Sequence, residues 1–289
     1  MSSTPSEHTQ WTIQGSQSAA ESTYASVRSA LKDLMQQKSI EVFLQGSYAN
    51  TTNIRADSDV DVVVMTTTTY FGRITNLAPT ARARFDSLPA GTYGRDDLRK
   101  DVQEALIAYY GTSRVSPKNK CIKVEKSTGY LDADVVPCFQ YRNFTKADPN
   151  FHTDFIEGIR IVPATGPAII NYPKEHIRRG QEKNARCNGH YKKTVRQLKH
   201  LRNRAIAEGR LPDGIAPGYL LECMAFNVPD EYFEANDTNR LRSVAAFLSV
   251  ADKTGFYSAD GVQRLFVDDP GDFSLVTAKT ITDALWAAF

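Results

Sequence analysis

Seven residues place the tightest constraint on this chain. Asp59-Val-Asp-Val-Val-Val-Met65 alternates and is β-branched, so it reads as a strand. Side chains two apart in a strand share a face, which sets Asp59 and Asp61 together while Val60, Val62 and Val64 pack on the opposite side. Adjacent like charges repel, and a divalent cation between them offsets both the repulsion and the desolvation. Mg²⁺ takes a few carboxylates together with substrate phosphate oxygens, so the pair suits a site with open positions. Alone, the spacing equally describes solvated turn and strand-edge residues; its surroundings decide.

Upstream, Ile40 to Gln45 alternates as a second strand and ends on Gly46-Ser47. Glycine there allows close backbone approach, and turn N–H groups plus the Ser47 hydroxyl can cradle a triphosphate. A further strand carries Leu131-Asp-Ala-Asp-Val-Val-Pro-Cys138, in which Asp134 precedes an apolar run as Asp61 does. Asp132 shares that face and competes with Asp134, which is favoured because it abuts Val-Val-Pro. Asp57 reads as a turn residue. Three carboxylates on neighbouring strands beside a glycine-serine turn describe a two-metal phosphoryl-transfer site, one ion activating the attacking hydroxyl and the other holding pyrophosphate. No Walker A, G-x-G-x-x-G, H-E-x-x-H or G-x-S-x-G motif competes for the chemistry.

At 289 residues the chain is long enough for about two domains, or one with a large lobe. With 41% hydrophobic and 24% charged residues it excludes disordered, collagenous, coiled-coil and disulfide-scaffold classes. A net charge of +2 excludes a uniformly basic nucleic-acid coat. No apolar run approaches a membrane span and MSSTPSEHTQ lacks a signal-peptide pattern, so a cytoplasmic protein is expected. Cys121, Cys138, Cys187 and Cys223 read as buried thiols; Cys187 and His190 lack the second pair a zinc site needs.

The Ser/Thr-rich first dozen residues are expected to fray. Helical spacing runs over 17–37 and 94–110; strands are expected over 120–126, 130–141, 155–162 and 168–172, the first two joined hairpin-style at 127–129. From Pro173 the pattern is helical to about Glu208, then again over 218–227, 239–252 and 272–288. The expected fold is α+β: a mixed sheet with flanking helices over 1–165, and a helical lobe over 166–289. Between Lys174 and Arg210 stand twelve Lys/Arg against three Glu. This is either a solvated helix face or, beside a triphosphate site, the compensating charge. Val195, Leu198 and Leu201 mark the core side of that helix.

Gly46-Ser47, Asp59-Val60-Asp61 and Asp134-Val-Val-Pro together resemble the DNA polymerase β-like nucleotidyltransferases, in the branch containing oligoadenylate synthase, cyclic GMP-AMP synthase and the bacterial CD-NTases. Asn171-Tyr-Pro, the helix from Tyr191 to Arg202, and Tyr219-Leu-Leu-Glu-Cys-Met-Ala-Phe-Asn-Val-Pro look most like clade E, so the likeness spans roughly 15–250. It implies a bilobed, template-independent enzyme that closes ATP and UTP, or other NTPs, into a cyclic oligonucleotide read by an effector protein in antiphage defence, under a regulatory partner. It implies two Mg²⁺ ions, with Mn²⁺ as a substitute, on Asp59, Asp61 and Asp134. Gln45, Gly46 and Ser47 would contact phosphate, Lys199 the donor triphosphate, and Lys183 and Lys193 are weaker candidates. Asn171 would read a pyrimidine edge, pointing to a product such as cyclic UMP-AMP, and Tyr219 would stack on a base. Gly218 stands where the animal relatives carry a phosphate-binding serine, a departure in the outer triphosphate contacts. Two alternatives remain open: transfer of one nucleotide to an RNA end, small molecule or protein, and an inactive nucleic-acid-binding protein.

Overall fold

A computed structural model describes residues 3–15, 17–54, 59–266 and 273–289; Asp57 lies outside them. The chain forms two compact units, one of residues 17–45 and 56–174, the other of residues 1–16, 46–55 and 175–289. A single cut after residue 165 therefore does not describe them: the boundary falls at 174/175, and two short early pieces belong with the helical unit.

The first unit is a mixed sheet. Strands β1 (Ile40–Leu44), β2 (Val60–Arg73), β5 (Ala133–Asn143), β4 (Ile122–Val124) and β3 (Val115–Pro117) lie in that order, and β5 also pairs β6 (Ile156–Ile161), which pairs β7 (Ile169–Asn171). Among these seven strands, only β2 and β5 pair in parallel. Val60 and Val62 to Met65 are all fully buried, so the strand is covered on both faces beyond Asp61 rather than on one. Val63 and Met65 pack with Val136, Cys138, Ile159 and Ile161. Helices α2 (Ser18–Ala30) and α6 (Arg95–Tyr110) flank β2 and β5.

Elsewhere the boundaries differ from expectation. The 17–37 stretch breaks at Leu31 into α2 and α3 (Lys32–Gln37), and α5 (Pro79–Asp86) was not foreseen. Residues 3–12, expected to fray, are instead ordered. They hold α1 (Pro5–Gln10), closed by a reciprocal cap between Thr4 and Glu7, with His8 buried and bonded to Thr238 and Ser3.

In the second unit the short α4 (Gly46–Ala49) precedes a run of long helices. The stretch from Pro173 splits into α7 (Pro173–Arg186) and α8 (His190–Ala207) at Asn188-Gly189, both with positive φ. Val195, Leu198 and Leu201 of α8 are fully buried, as their spacing predicts, and Tyr191 and Ala205 join them against α9 (Gly218–Phe226), α10 (Asp237–Val250) and α11 (Leu275–Ala287). All four cysteines are free and buried. Among the described residues, no helix is long and apolar enough to cross a membrane.

Arg240 is buried completely in this core. Its guanidinium is satisfied by Thr194 Oγ1, Gln197 Oε1, the Glu234 and Ala235 carbonyls and the Asp237 carboxylate. Removing one member of such a set leaves the rest unpaired, so Arg240→Ala should cost about 3–5 kcal/mol in denaturant unfolding. A change within about 0.5 kcal/mol would contradict this account.

Candidate active site

The pairing of β2 with β5 sets Asp61 directly opposite Asp134, with Val62 opposite Val135. Both valines are buried, so the apolar run fixes the register and brings the two carboxylates together. Asp59 stands two residues before Asp61 on its face. The Asp61 carboxyl is pushed up to about 7, first by burial and then by the charges of Asp134 and Asp59. Burial and the nearby Asp134 carboxylate together push the Cys121 thiol up to about 12.

Asp132 is differently employed. One of its oxygens accepts the Lys126 N–H at 2.6 Å, and the other lies 3.5 Å from Lys123 Nζ. Register separates it from Asp134, which stands directly opposite Asp61. Lys123 was not foreseen. Antiparallel pairing places it opposite Asp134, and its ammonium reaches Asp59 at 3.3 Å; only that register, with the like-charge face beside it, exposes its role. Against the opposing effect of its burial, Asp59 and Asp132 hold the Lys123 ammonium above its usual range.

The donor chemistry fits a hard divalent ion: three carboxylates on one sheet face, one of them pushed up to about 7 by burial and by the charges of the other two. With Asp59 turned to Lys123, no three His, Cys, Asp or Glu groups among the described residues are gathered in metal-holding geometry.

Gln45 follows β1, and its N–H donates to the Asp61 carbonyl at 3.0 Å. The next residue, Gly46, adopts φ 70°, a conformation that favours glycine. Neither the Ser47 hydroxyl nor the Gln45 amide has a hydrogen-bond partner among the described residues. Asn171, the last residue of β7, likewise leaves its amide unpaired among them, and its carbonyl packs on Gly158, where a Cβ would come within 2.8 Å. Tyr219 is 41% exposed, with its ring 5.5 Å from that of His176. It offers an exposed aromatic ring, as a stacking platform requires.

Two expected phosphate contacts are otherwise engaged. Lys183 is buried and donates to the Val228 carbonyl and to Asp230, both at 2.7 Å. Although burial opposes it, Lys183 and Arg186 hold the Asp230 carboxyl at about 2. Lys199 is also buried, and its ammonium donates to the Thr52 carbonyl and hydroxyl at 3.0 and 3.2 Å.

Most of the basic stretch is spent in the same way. Arg178 and Arg179 pair with Glu175, Arg204 pairs with Glu208, and Lys192 and Arg196 bond to Thr51. Lys193 is the exception, with no partner among the described residues. Glu222, fully desolvated on the apolar α9, was also missed; a lone acid in that helix is its sequence signal.

Residues 178–289 match the family model of the cGAS/DncV-like nucleotidyltransferase C-terminal helical domain. A cyclic UMP-AMP synthase from Rhodothermus marinus is 39% identical over 286 residues, covering 96% of each chain. A cyclic dipyrimidine nucleotide synthase, CdnE, from Legionella pneumophila is 32% identical over 86% of this chain and 84% of its own. The solved structure of the R. marinus CdnE c-UMP-AMP synthase with Apcpp and Upnpp matches at a TM-score of 0.88 and 36% identity, covering 98% of this chain and 95% of that one. That of an Elizabethkingia meningoseptica CdnE cyclic dinucleotide synthase matches at 0.79 and 27%, covering 99% and 98%.

The sign of the Asp61 shift makes a solution prediction. A carboxyl whose folded pKa is about 7 against 3.8 unfolded favours folding least when ionised, so its contribution to stability falls as pH rises from about 4 through 7. In chelator-treated protein, Asp61→Asn should flatten that decline in the melting temperature. An unchanged pH slope would contradict the assigned burial and like-charge repulsion.

Proposed function

The chain is a clade E CD-NTase, a cyclic nucleotide synthase of the nucleotidyltransferase class, and on that footing we propose that it joins UTP and ATP into a uridine-containing cyclic dinucleotide such as cyclic UMP-AMP. The observation that carries the reading is the register of β2 against β5, which pairs the Asp61 and Asp134 carboxylates with Asp59 beside them. Those three residues would hold two Mg²⁺ ions, which supply activation of the attacking hydroxyl and charge compensation for the departing pyrophosphate.

The remaining roles belong to the chain's own groups. The Ser47 hydroxyl, with no other partner among the described residues, donates to a triphosphate oxygen, and Gln45 and Gly46 flank it. The unpaired Asn171 amide both donates and accepts, matching the O4/N3 edge of uracil. The exposed Tyr219 ring stacks on a base. A ribose hydroxyl attacks an α-phosphorus, the new phosphodiester forms as the bond to pyrophosphate breaks, and a second transfer closes the ring. The uridine assignment is supported by Asn171 and by the naming of the R. marinus relative as a cyclic UMP-AMP synthase. We place the enzyme in the cytoplasm, with its product read by an effector protein in antiphage defence and its activity set by a regulatory partner.

Purified protein incubated with all four labelled NTPs and Mg²⁺ or Mn²⁺, then treated with phosphatase, should yield a resistant product whose mass contains uridine. Asp59→Ala, Asp61→Ala and Asp134→Ala should abolish it, and Asn171→Ser should lower its pyrimidine content. Synthesis that survives the aspartate changes would overturn the assigned site, and an unchanged base ratio in the Asn171 variant would retire that residue's role.

A further inference from the structure

The turn that carries Ser47 is followed by a segment held with unusual thoroughness. Asn50, Thr52 and Asn53 are all buried, and Thr51 between them adopts φ 55°, a left-handed conformation rare for a β-branched residue. Three cations of α8, at positions 192, 196 and 199, recur at spacings of four and three and so share one helix face. All three grip this segment. Lys192 Nζ donates to Thr51 Oγ1 at 3.1 Å, Arg196 Nη1 to the Thr51 carbonyl at 2.6 Å, and Lys199 Nζ to the carbonyl and hydroxyl of Thr52.

Thr52 is the centre of the arrangement. Its hydroxyl accepts from Lys199 and donates to Glu222 Oε2 at 3.0 Å, and Glu222 Oε1 lies 3.0 Å from His176 Nε2. Its backbone N–H donates to the Ser47 carbonyl at 2.9 Å, while Asn50 N–H returns to the Gly46 carbonyl at 3.1 Å. The chain from Gly46 to Thr52 is thereby closed on itself and fastened at one end to buried charges. Gly218 makes the reach of Lys199 feasible: a Cβ there would stand 3.0 Å from Lys199 Cε and 3.3 Å from its ammonium.

We propose that Thr52 is a positioning residue, clamped between Glu222 and Lys199, that sets where the Ser47 hydroxyl stands for the nucleotide triphosphate. Lys192, Arg196 and Lys199 then support triphosphate binding through the carbonyls and hydroxyls of Thr51 and Thr52 that they hold. The inference rests on the reading of Ser47 as a triphosphate contact, and its test separates the two.

Steady-state kinetics with UTP and ATP are measured on the wild type, Ser47→Ala, Thr52→Val and the double variant, with thermal melts confirming folding. Ser47→Ala and Thr52→Val should each raise KM about tenfold, as expected for losing one hydrogen bond to a charged group, with a smaller effect on kcat. The double variant should be no worse than the more severe single change, and Thr52→Ser should restore the wild-type KM. A Thr52→Val KM within about twofold of wild type, beside a raised Ser47→Ala value, overturns the positioning role alone. So do effects that multiply to about a hundredfold in the double variant. An unchanged KM in Ser47→Ala instead removes the underlying reading. If Thr52→Val does not fold, Gly218→Ser, which crowds the Lys199 ammonium and leaves Thr52 intact, takes its place in the same cycle.

Discussion

The strand unit depends on one pairing, that of β2 with β5 in parallel. Val60 and Val62 to Met65 are buried, and so are Val135, Val136 and Cys138 opposite. A slip of one residue would move Asp61 out of line with Asp134 and turn an acid into the apolar layer. The hydrophobic run thus pins two like charges together at its end, where burial holds Asp61 protonated up to about neutral pH. Parallel strands also require a long crossover, and residues 74–132 supply it with α5, α6, β3 and β4. Strand β4 carries Lys123 to Asp59, so the crossover adds a cation to the acidic face.

The helical unit answers a different constraint, the accommodation of many cations in a compact core. In the sequence alone, twelve Lys/Arg between Lys174 and Arg210 resemble a surface charge awaiting a ligand, yet the structure commits most of them to carboxylates or backbone carbonyls. Buried ions are tolerated when they are hydrogen-bonded, as Arg240, Lys183 and Lys199 are. Local charge excess on α7 and α8 is therefore mainly structural. Its connection to function runs through the short segment that those cations hold.

Period-two patterning made Asp59, Asp61 and Asp134 legible, because a strand reports facing directly and an apolar run reports which end is buried. The same reading understated β2, since alternation alone does not reveal that Val63 and Met65 are covered as well. The break at Leu31 carries no glycine or proline and left no local mark. The capped α1 was legible in principle: Thr4-x-x-Glu7 is a capping-box pattern, outweighed by the polar composition around it. Lys123, Lys183 and Lys199 lay beyond a linear reading, because Asp59, Val228, Asp230 and Thr52, which hold them, stand 45 to 147 residues away. Membership of 46–55 in the helical unit is likewise a property of contacts, with no signal in composition.

The central claim is that Asp61 and Asp134, paired by strand register, bind the divalent cations of the reaction, while Asp132, just ahead of β5, does not. Titration of Mn²⁺ by water-proton relaxation, with a non-hydrolysable UTP analogue present, tests it on the wild type and on Asp61→Asn, Asp134→Asn and Asp132→Asn. The account predicts tight binding in the wild type and in Asp132→Asn, and its loss in the other two. Retained binding in Asp134→Asn together with loss in Asp132→Asn would contradict it.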